Sequence, residues 1–279
     1  MLIEAVDLIK TFDKKKAVDG LSLNVQEGEF LALLGPNGAG KTTTVNMLCG
    51  LSRPTSGKIF YNSEELTVED KDIKGQIGVV PQHNNVDRDL TVAENLKVHC
   101  KLFGIKDADK AIDEALEFSG LSAHRDKAAD KLSGGMKRRL VISRALLHNP
   151  KVLFLDEPTT GLDATVRRNI WGFIRTINKQ HGCTVILTTH YIEEAEVLAD
   201  RVIIIDKGKI AAEGQVEPLK RSVGRVALDI YKEDGIETLH FESRQEALKK
   251  LETIKDEAKV RDVTLEDVYI RITGRRIDV

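Results

Sequence analysis

The sequence predicts an α/β fold: a partly parallel sheet with helices on its faces, a helical insertion, and a small α+β C-terminal appendage. Three observations lead there. Short, continuously apolar runs such as "FLALLG", "VLFLD" and "CTVILTT" have the length and composition of buried strands. Between them lie stretches of helical period, with Val166, Ile170, Ile174 and Ile177 on one stripe, and strands alternating with helices build parallel sheets. The composition is that of an ordinary soluble chain: 279 residues, 31% charged, 42 Lys plus Arg against 44 Asp plus Glu, and no long single-sign block. That length buries one large core with room for an appendage, and the charge balance argues against a nucleic-acid partner.

The elements follow in order. "LIEAVDLIK" and "LSLNV" alternate apolar and polar positions and read as strands, "FLALLG" is a fully buried one, and "KTTTVNMLCG" is a helix closed by Gly50. After Gln82 the pattern turns helical. Thr91 and Glu94 have capping-box spacing, and Asp107 heads a helix with Ile112, Ala115, Leu116 and Ser119 on one face, so residues 83 to about 150 form a helical insertion. Next come "VLFLD", the long helix, "CTVILTT", the short helix "YIEEAEVLAD", and "RVIIIDKGKIAAEG", a hairpin around Lys207 and Gly208. From about Glu217 the order is β-β-α-β-α, ending in a helix with Thr264 and Asp267 at cap spacing. The chain thus divides into 1–216 and a small unit, 217–279, which leans on the main body or on its own copy.

Cys49, Cys100 and Cys183 lie far apart without CxxC spacing, so neither a disulfide framework nor a zinc site is suggested, which reads as a reducing cytosol. The opening "MLIEAVDLIK" lacks a basic region followed by an apolar run, and no stretch approaches the roughly 18 apolar residues that span a bilayer. Any membrane role therefore belongs to a partner.

Three motifs carry chemistry. "GPNGAGKT", comprising Gly35, Pro36, Asn37, Gly38, Ala39, Gly40, Lys41 and Thr42, follows a buried strand and opens a helix that continues with Thr43. Glycines let backbone amides converge on phosphate oxygens, Lys41 reaches the β and γ phosphates, and the Thr42 hydroxyl is placed for Mg²⁺. "VLFLDEP" ends a strand in two acids, with Asp156 suited to hold Mg²⁺ through its water shell and Glu157 to orient or deprotonate a water. "KLSGGMKRR" then presents a second glycine pair at a helix start, where Ser133 offers a hydroxyl and Gly134 and Gly135 offer bare amides. The basic run Lys137, Arg138 and Arg139 reads as a solvated helix face. Cys49, on the phosphate-loop helix, is expected to make the protein thiol-sensitive without being catalytic.

Together these residues resemble the ATP-binding cassette (ABC) ATPases. In family order the chain shows Phe12, Gly35 to Thr42, Gln82, "LSGGM", "VLFLDEP", "TTGLD" and His190, spread over residues 1 to about 215. The resemblance implies ATP and Mg²⁺ as cofactors and a head-to-tail pair of chains, in which the signature "LSGGM", Leu132 to Met136, of one copy closes over the nucleotide on the phosphate loop of the other. It also implies that Phe12, where the family more often has Tyr, stacks on adenine. Gln82 would touch the Mg²⁺ and water shell while its loop meets the transport partner. Asp163 would bridge the two chains or cap the next helix, and His190 would contact the γ-phosphate. Met136, where most cassettes have Gln, together with "TTGLDATVRRNIW" and "TLEDVYIRITG", is similar to the exporter branch serving drug, sodium and polysaccharide efflux. That branch implies an ATPase peripheral on the cytoplasmic face of the membrane, bound to separate integral permease subunits. An importer ATPase shares every motor motif and differs in the branch segments and the C-terminal unit. A soluble cassette of translation or DNA repair would pair two cassettes in one chain or split the motifs with a coiled coil.

Overall fold

The alternating N-terminal runs form a long antiparallel hairpin, β1 (Ile3–Phe12) with β2 (Lys15–Val25), in a computed structural model that describes residues 1–67, 69–233 and 235–274. The wholly buried β3 (Phe30–Leu34) leads through a loop into α1 (Lys41–Leu48). β4 (Ser56–Tyr61) and β5 (Glu64–Glu65) complete a four-stranded antiparallel sheet, β2-β1-β4-β5. After α2 (Lys71–Lys74) and β6 (Ile77–Val80) the insertion contributes α3 (Val92–Leu102), α4 (Ala108–Ser119) and α5 (Gly134–Leu146). Its expected caps form: Thr91 and Glu94 bond reciprocally, and Asp107 accepts from the Lys110 amide.

The chain returns through β7 (Val152–Asp156), α6 (Ala164–His181), β8 (Thr184–Thr189) and α7 (Ile192–Leu198) to the hairpin of β9 (Arg201–Asp206) and β10 (Lys209–Gly214). The central sheet has the order β10-β9-β3-β8-β7-β6, parallel except for β10. Side chains on β3 alternate between faces. Leu31 and Leu33 join the core shared with α1 and the antiparallel sheet, whereas Ala32 and Leu34 join another. Helix α5 also faces two ways: Val141, Ile142 and Ala145 pack with α6 and the sheet, and Leu140, with the cap residue Leu147, packs inside the insertion.

The remaining elements are α8 (Val216–Arg221), β11 (Val226–Lys232), β12 (Gly235–Phe241), α9 (Arg244–Leu251), β13 (Ala258–Asp262) and α10 (Leu265–Thr273). The sequence boundary after residue 216 falls at the first residue of α8. This segment leans on the main body. Val263, Leu265, Val268 and Tyr269 share a core with Ala32 and Leu34 of β3 and with Val202 and Ile204 of β9. Burying each such aliphatic side chain stabilises by roughly 1.5–3 kcal/mol, and Glu196 on α7 accepts from the Leu265 amide at 2.7 Å. The C-terminal segment therefore braces the strand that enters the phosphate loop.

Candidate active site

The residues singled out by the motifs meet along one edge of the parallel sheet. Leu34 lies beside Thr189 and Asp156 beside Thr188, so the loops leaving β3, β8 and β7 carry Gly35, His190 and Glu157 as neighbours. Gln82 follows β6 at the same edge. The carboxyl ends of parallel strands are where such sheets build ligand crevices.

Gly40 takes φ +107°, and a Cβ there would lie 2.5 Å from the Ala17 carbonyl oxygen, so both its backbone angle and its neighbour require glycine. No side chain caps α1, which leaves its first-turn amides open as an anion site. Lys41 is buried, its Nζ donating to the carbonyls of Gly35 (2.8 Å) and Pro36 (3.1 Å) and lying 3.3 Å from Glu157 Oε1. Burial lowers the Lys41 pKa, opposed by the charges of Glu157 and Asp156. Thr42 Oγ1 donates to Asp156 Oδ1 at 3.0 Å, and that oxygen also accepts from the Thr188 hydroxyl.

Glu157 sits at φ +43°, a left-handed backbone that costs a non-glycine residue roughly 1–3 kcal/mol. Its amide donates to the Thr188 carbonyl and hydroxyl at 3.1 and 3.0 Å, which hold the bend. The side chain is 7% exposed, and Oε2 accepts from Gln82 Nε2 (3.2 Å) and Thr160 Oγ1 (3.1 Å). His190 Nδ1 lies 3.2 Å from the same oxygen, near enough to pair when protonated but too poorly directed for a hydrogen bond. Burial alone would raise the Glu157 carboxyl, but His190 and Lys41 outweigh it and hold the pKa at about 2. Glu157 is therefore an anion at neutral pH, pinned from four sides.

The Thr42 hydroxyl, the Asp156 carboxylate and the Gln82 amide are hard oxygen donors. Such a set fits Mg²⁺, which takes few protein ligands and keeps several waters.

Phe12 ends β1, and its ring is half exposed. With Lys15, Asn37, Gly38 and Thr43 it lines a cleft of about 370 Å³ that also contains Lys41, Thr42, Gln82 and Glu157. Ser133, Gly134 and Gly135 line none of it. They open α5, with Ser133 and Gly134 exposed and Ser133 Oγ accepting from the Met136 amide at 3.3 Å. Gly135 also has a packing reason, since a Cβ there would lie 2.5 Å from Val166 Cγ1 on α6. Asp163 caps α6, accepting from the Val166 amide at 2.9 Å.

Two sequence expectations fail. Arg138 is not on a solvated face: it is 2% exposed, and its guanidinium donates to the carbonyls of Pro81 (2.6 Å) and Asp156 (3.2 Å). A signal was present, because Arg138 stands three and four residues before the buried Val141 and Ile142, on the inward stripe of α5. Cys49 is 4% exposed, and burial pushes its thiol up to about 11, so it is protected where the sequence suggested sensitivity. Thr160 of "TTGLD" and Thr188 of "CTVILTT" hold Glu157, a role the sequence did not signal.

Residues 18–160 match the ABC transporter family. The Nod factor export ATP-binding protein I of Burkholderia pseudomallei (strain 1710b) is 40% identical over 291 residues, spanning 96% of this chain and 95% of its own. The protein of the same name from Cupriavidus metallidurans is 37% identical over 300 residues, 99% of this chain and 98% of its own. The chain belongs to the ABC transporter family. It is an ATP-binding cassette and an ATPase. Among solved structures, the dimeric cassette MJ0796 bound to ADP and Pi is similar with a TM-score of 0.69 and 28% identity, over 77% of this chain and 98% of that one. The cbiO1 cassette of Clostridium perfringens, part of the transporter complex cbiONQ, has a TM-score of 0.71 and 29% identity over 77% and 88%. No helix among the described residues is long and apolar enough to cross a membrane.

All three cysteines of this ABC ATPase are buried. The native enzyme is expected to keep its ATPase activity through exposure to a thiol reagent that titrates all three cysteines after denaturation. Rapid labelling of Cys49 with matching loss of activity would show that the packing around α1 opens.

Proposed function

We propose that this ATPase drives a membrane exporter as a head-to-tail pair of cassettes holding two ATP, each with Mg²⁺, between them, on the cytoplasmic face beneath separate permease subunits. The half-built cleft carries this reading. Phe12, the phosphate loop, Gln82 and Glu157 line it, Asp156 and His190 adjoin it through Thr42 and Glu157, and Ser133 and Gly134 stand exposed outside it. A second copy supplies the missing wall, with Ser133, Gly134 and Gly135 donating to the γ-phosphate and Asp163 at the seam. Charge-assisted hydrogen bonds are worth roughly 1.5–3 kcal/mol each. Two or three at each of two sites exceed the roughly 5.5 kcal/mol that moves an equilibrium from 1:99 to 99:1, so ATP closes the pair and hydrolysis lets it open.

Phe12 stacks on adenine, and the amides of Gly38 to Thr43 hold phosphates. Lys41 exchanges Glu157 and the Gly35 and Pro36 carbonyls for the β and γ phosphates. Freed from that ion pair, Glu157 orients the attacking water and takes its proton, while Gln82 and His190 keep the carboxylate and the γ-phosphate in place. Thr42, Asp156 and Gln82 would hold Mg²⁺, which when bound neutralises developing phosphate charge.

Export is supported by relatives named for export that match along nearly the full chain. A permease contact is supported by the C-terminal end of α3, where Val98, Leu102 and the cap residue Phe103 are 49%, 76% and 41% exposed around a groove of about 480 Å³ that reaches Asn85, just past Gln82. Clustered exposed apolar groups of this kind mark protein contacts. Tagged Glu157→Gln protein captured with ATP from native membranes is expected to bring down a multi-span membrane protein, and Leu102→Asp in the same background to lose it. Recovery only in the soluble fraction, with ribosomes or DNA-bound factors, would favour a soluble cassette instead.

A further inference from the structure

Helix α5 carries the exposed signature at its first turn and a buried arginine shortly after it. Arg138 Nη1 donates to the Pro81 carbonyl at 2.6 Å and reaches the Gln82 carbonyl (3.5 Å) and Asn84 Oδ1 (3.4 Å), while Nη2 donates to the Asp156 carbonyl at 3.2 Å. Farther along the helix, Arg144 Nη1 donates to the Asn85 carbonyl at 2.7 Å. The loop that holds Gln82 therefore hangs from α5 at two points. The backbone joining Asp156 to Glu157 hangs from it at one.

Apart from Asn84 Oδ1, these contacts are made to main-chain carbonyls, in the loop that follows β6 and at the end of β7, so they hold the backbone that carries Gln82 and Glu157 and touch neither side chain. Bonds from a guanidinium are the stronger kind, and its planar fork reaches the Pro81 and Asp156 carbonyls at once. α5 is packed on both sides, against the sheet and inside the insertion, so a shift at its first turn travels along it as a rigid body. Removing Arg138 from water lowers its pKa to about 10, opposed by Glu194 and Asp156, which leaves it charged at neutral pH.

We propose that Arg138 couples the two ATP sites of the pair: when Ser133 to Gly135 engage the partner's nucleotide, α5 shifts, and the guanidinium passes that shift to the loops carrying Gln82 and Glu157. Arg138 is a positioning residue, because it acts on the reaction through those loops. The inference rests on the head-to-tail reading above. In such a pair, Gln82 and Glu157 serve a nucleotide different from the one their own signature touches. Arg138 is then the link through which one site learns that the other is filled.

The test compares ATPase rate against ATP concentration for the wild type, Arg138→Lys and Arg138→Gln, with folding checked by thermal midpoint and single-chain ATP affinity by fluorescent-nucleotide titration. Two sites cap the Hill coefficient at about 2. The wild type is expected to approach that value and folded Arg138 variants to approach 1, with kcat down about tenfold or more and single-chain affinity changed by less than about threefold. A folded variant that keeps wild-type cooperativity and kcat overturns the proposal, as does a wild-type coefficient of 1. So does a variant whose kcat falls only in step with its ATP affinity, since that is a structural defect.

Mixed pairs give a second measurement that leaves residue 138 untouched. In a pair with Ser133→Arg in one copy only, the phosphate loop of that copy still meets an intact signature, yet its site is expected to be slow. A rate of about half that of the wild-type pair would show the sites to be independent and overturn the coupling. The pairing itself is read separately, from the ATP-dependent doubling of mass of Glu157→Gln. Its absence removes the head-to-tail reading, whereas doubling with unchanged cooperativity removes only the role of Arg138.

Discussion

Glu157→Gln is expected to slow ATP hydrolysis about 100- to 10,000-fold, the usual worth of a positioned general base, while ATP remains bound. The amide keeps the length and shape of the side chain, so its oxygen can still accept from Gln82 and Thr160, which now bond to Oε2 at 3.2 and 3.1 Å. What disappears is the charge. With the carboxyl held at about 2 in the wild type, Glu157 is an anion at neutral pH, and the amide has no proton affinity to replace it. Because binding is spared and turnover is not, the closed pair accumulates. Light scattering at saturating ATP and Mg²⁺ should show the mass double. A mass that stays at one chain would count against the shared site, and undiminished hydrolysis would take the base role from Glu157.

Lys41→Ala is expected to weaken ATP binding by about 100-fold or more. Two charge-assisted bonds to phosphate at roughly 1.5–3 kcal/mol each amount to at least two factors of ten at 1.4 kcal/mol per factor. The substitution also leaves the Gly35 and Pro36 carbonyls without their donor and Glu157 without the cation 3.3 Å away. The nucleotide-free protein should therefore melt earlier as well. Fluorescent-nucleotide titration separates the two effects, and an affinity within about twofold of wild type would remove Lys41 from the phosphates.

The strands legible as continuous apolar runs were those buried on both faces, and β1 and β2 were legible from their alternation. β3, β7 and β8 are wholly buried, and such strands must be written as continuous apolar runs. β4 escaped notice because "SGKIFY" buries only Ile59 and Tyr61 fully, too few positions to establish a period. Capping boxes were legible where both residues stand three apart ahead of an apolar pattern, as with Thr91 and Glu94 or Thr264 and Asp267. The motifs were legible for a similar reason. A phosphate loop is local, so its glycines and Lys41 must stand at fixed offsets along the chain.

Arg138 shows where local reading stops. Its partners, Pro81 and Asp156, are far away in sequence and come together only because β6 pairs with β7 and α5 crosses both, so a run of basic residues looked solvated. Cys49 is shielded by packing with the same tertiary origin. The chain alone carried the identity of the cassette, the order of its strands and helices, and the residue types needed to meet a nucleotide, because each depends on spacing within a few turns or one strand. Only the folded structure decided that Glu157 is held as an anion by Lys41, Gln82, Thr160 and His190, that the C-terminal segment braces β3, and that α5 grips the loops carrying Gln82 and Glu157. Each of those arises from contacts between distant segments, whose distances are set by sheet order and close packing and by no pattern along the chain.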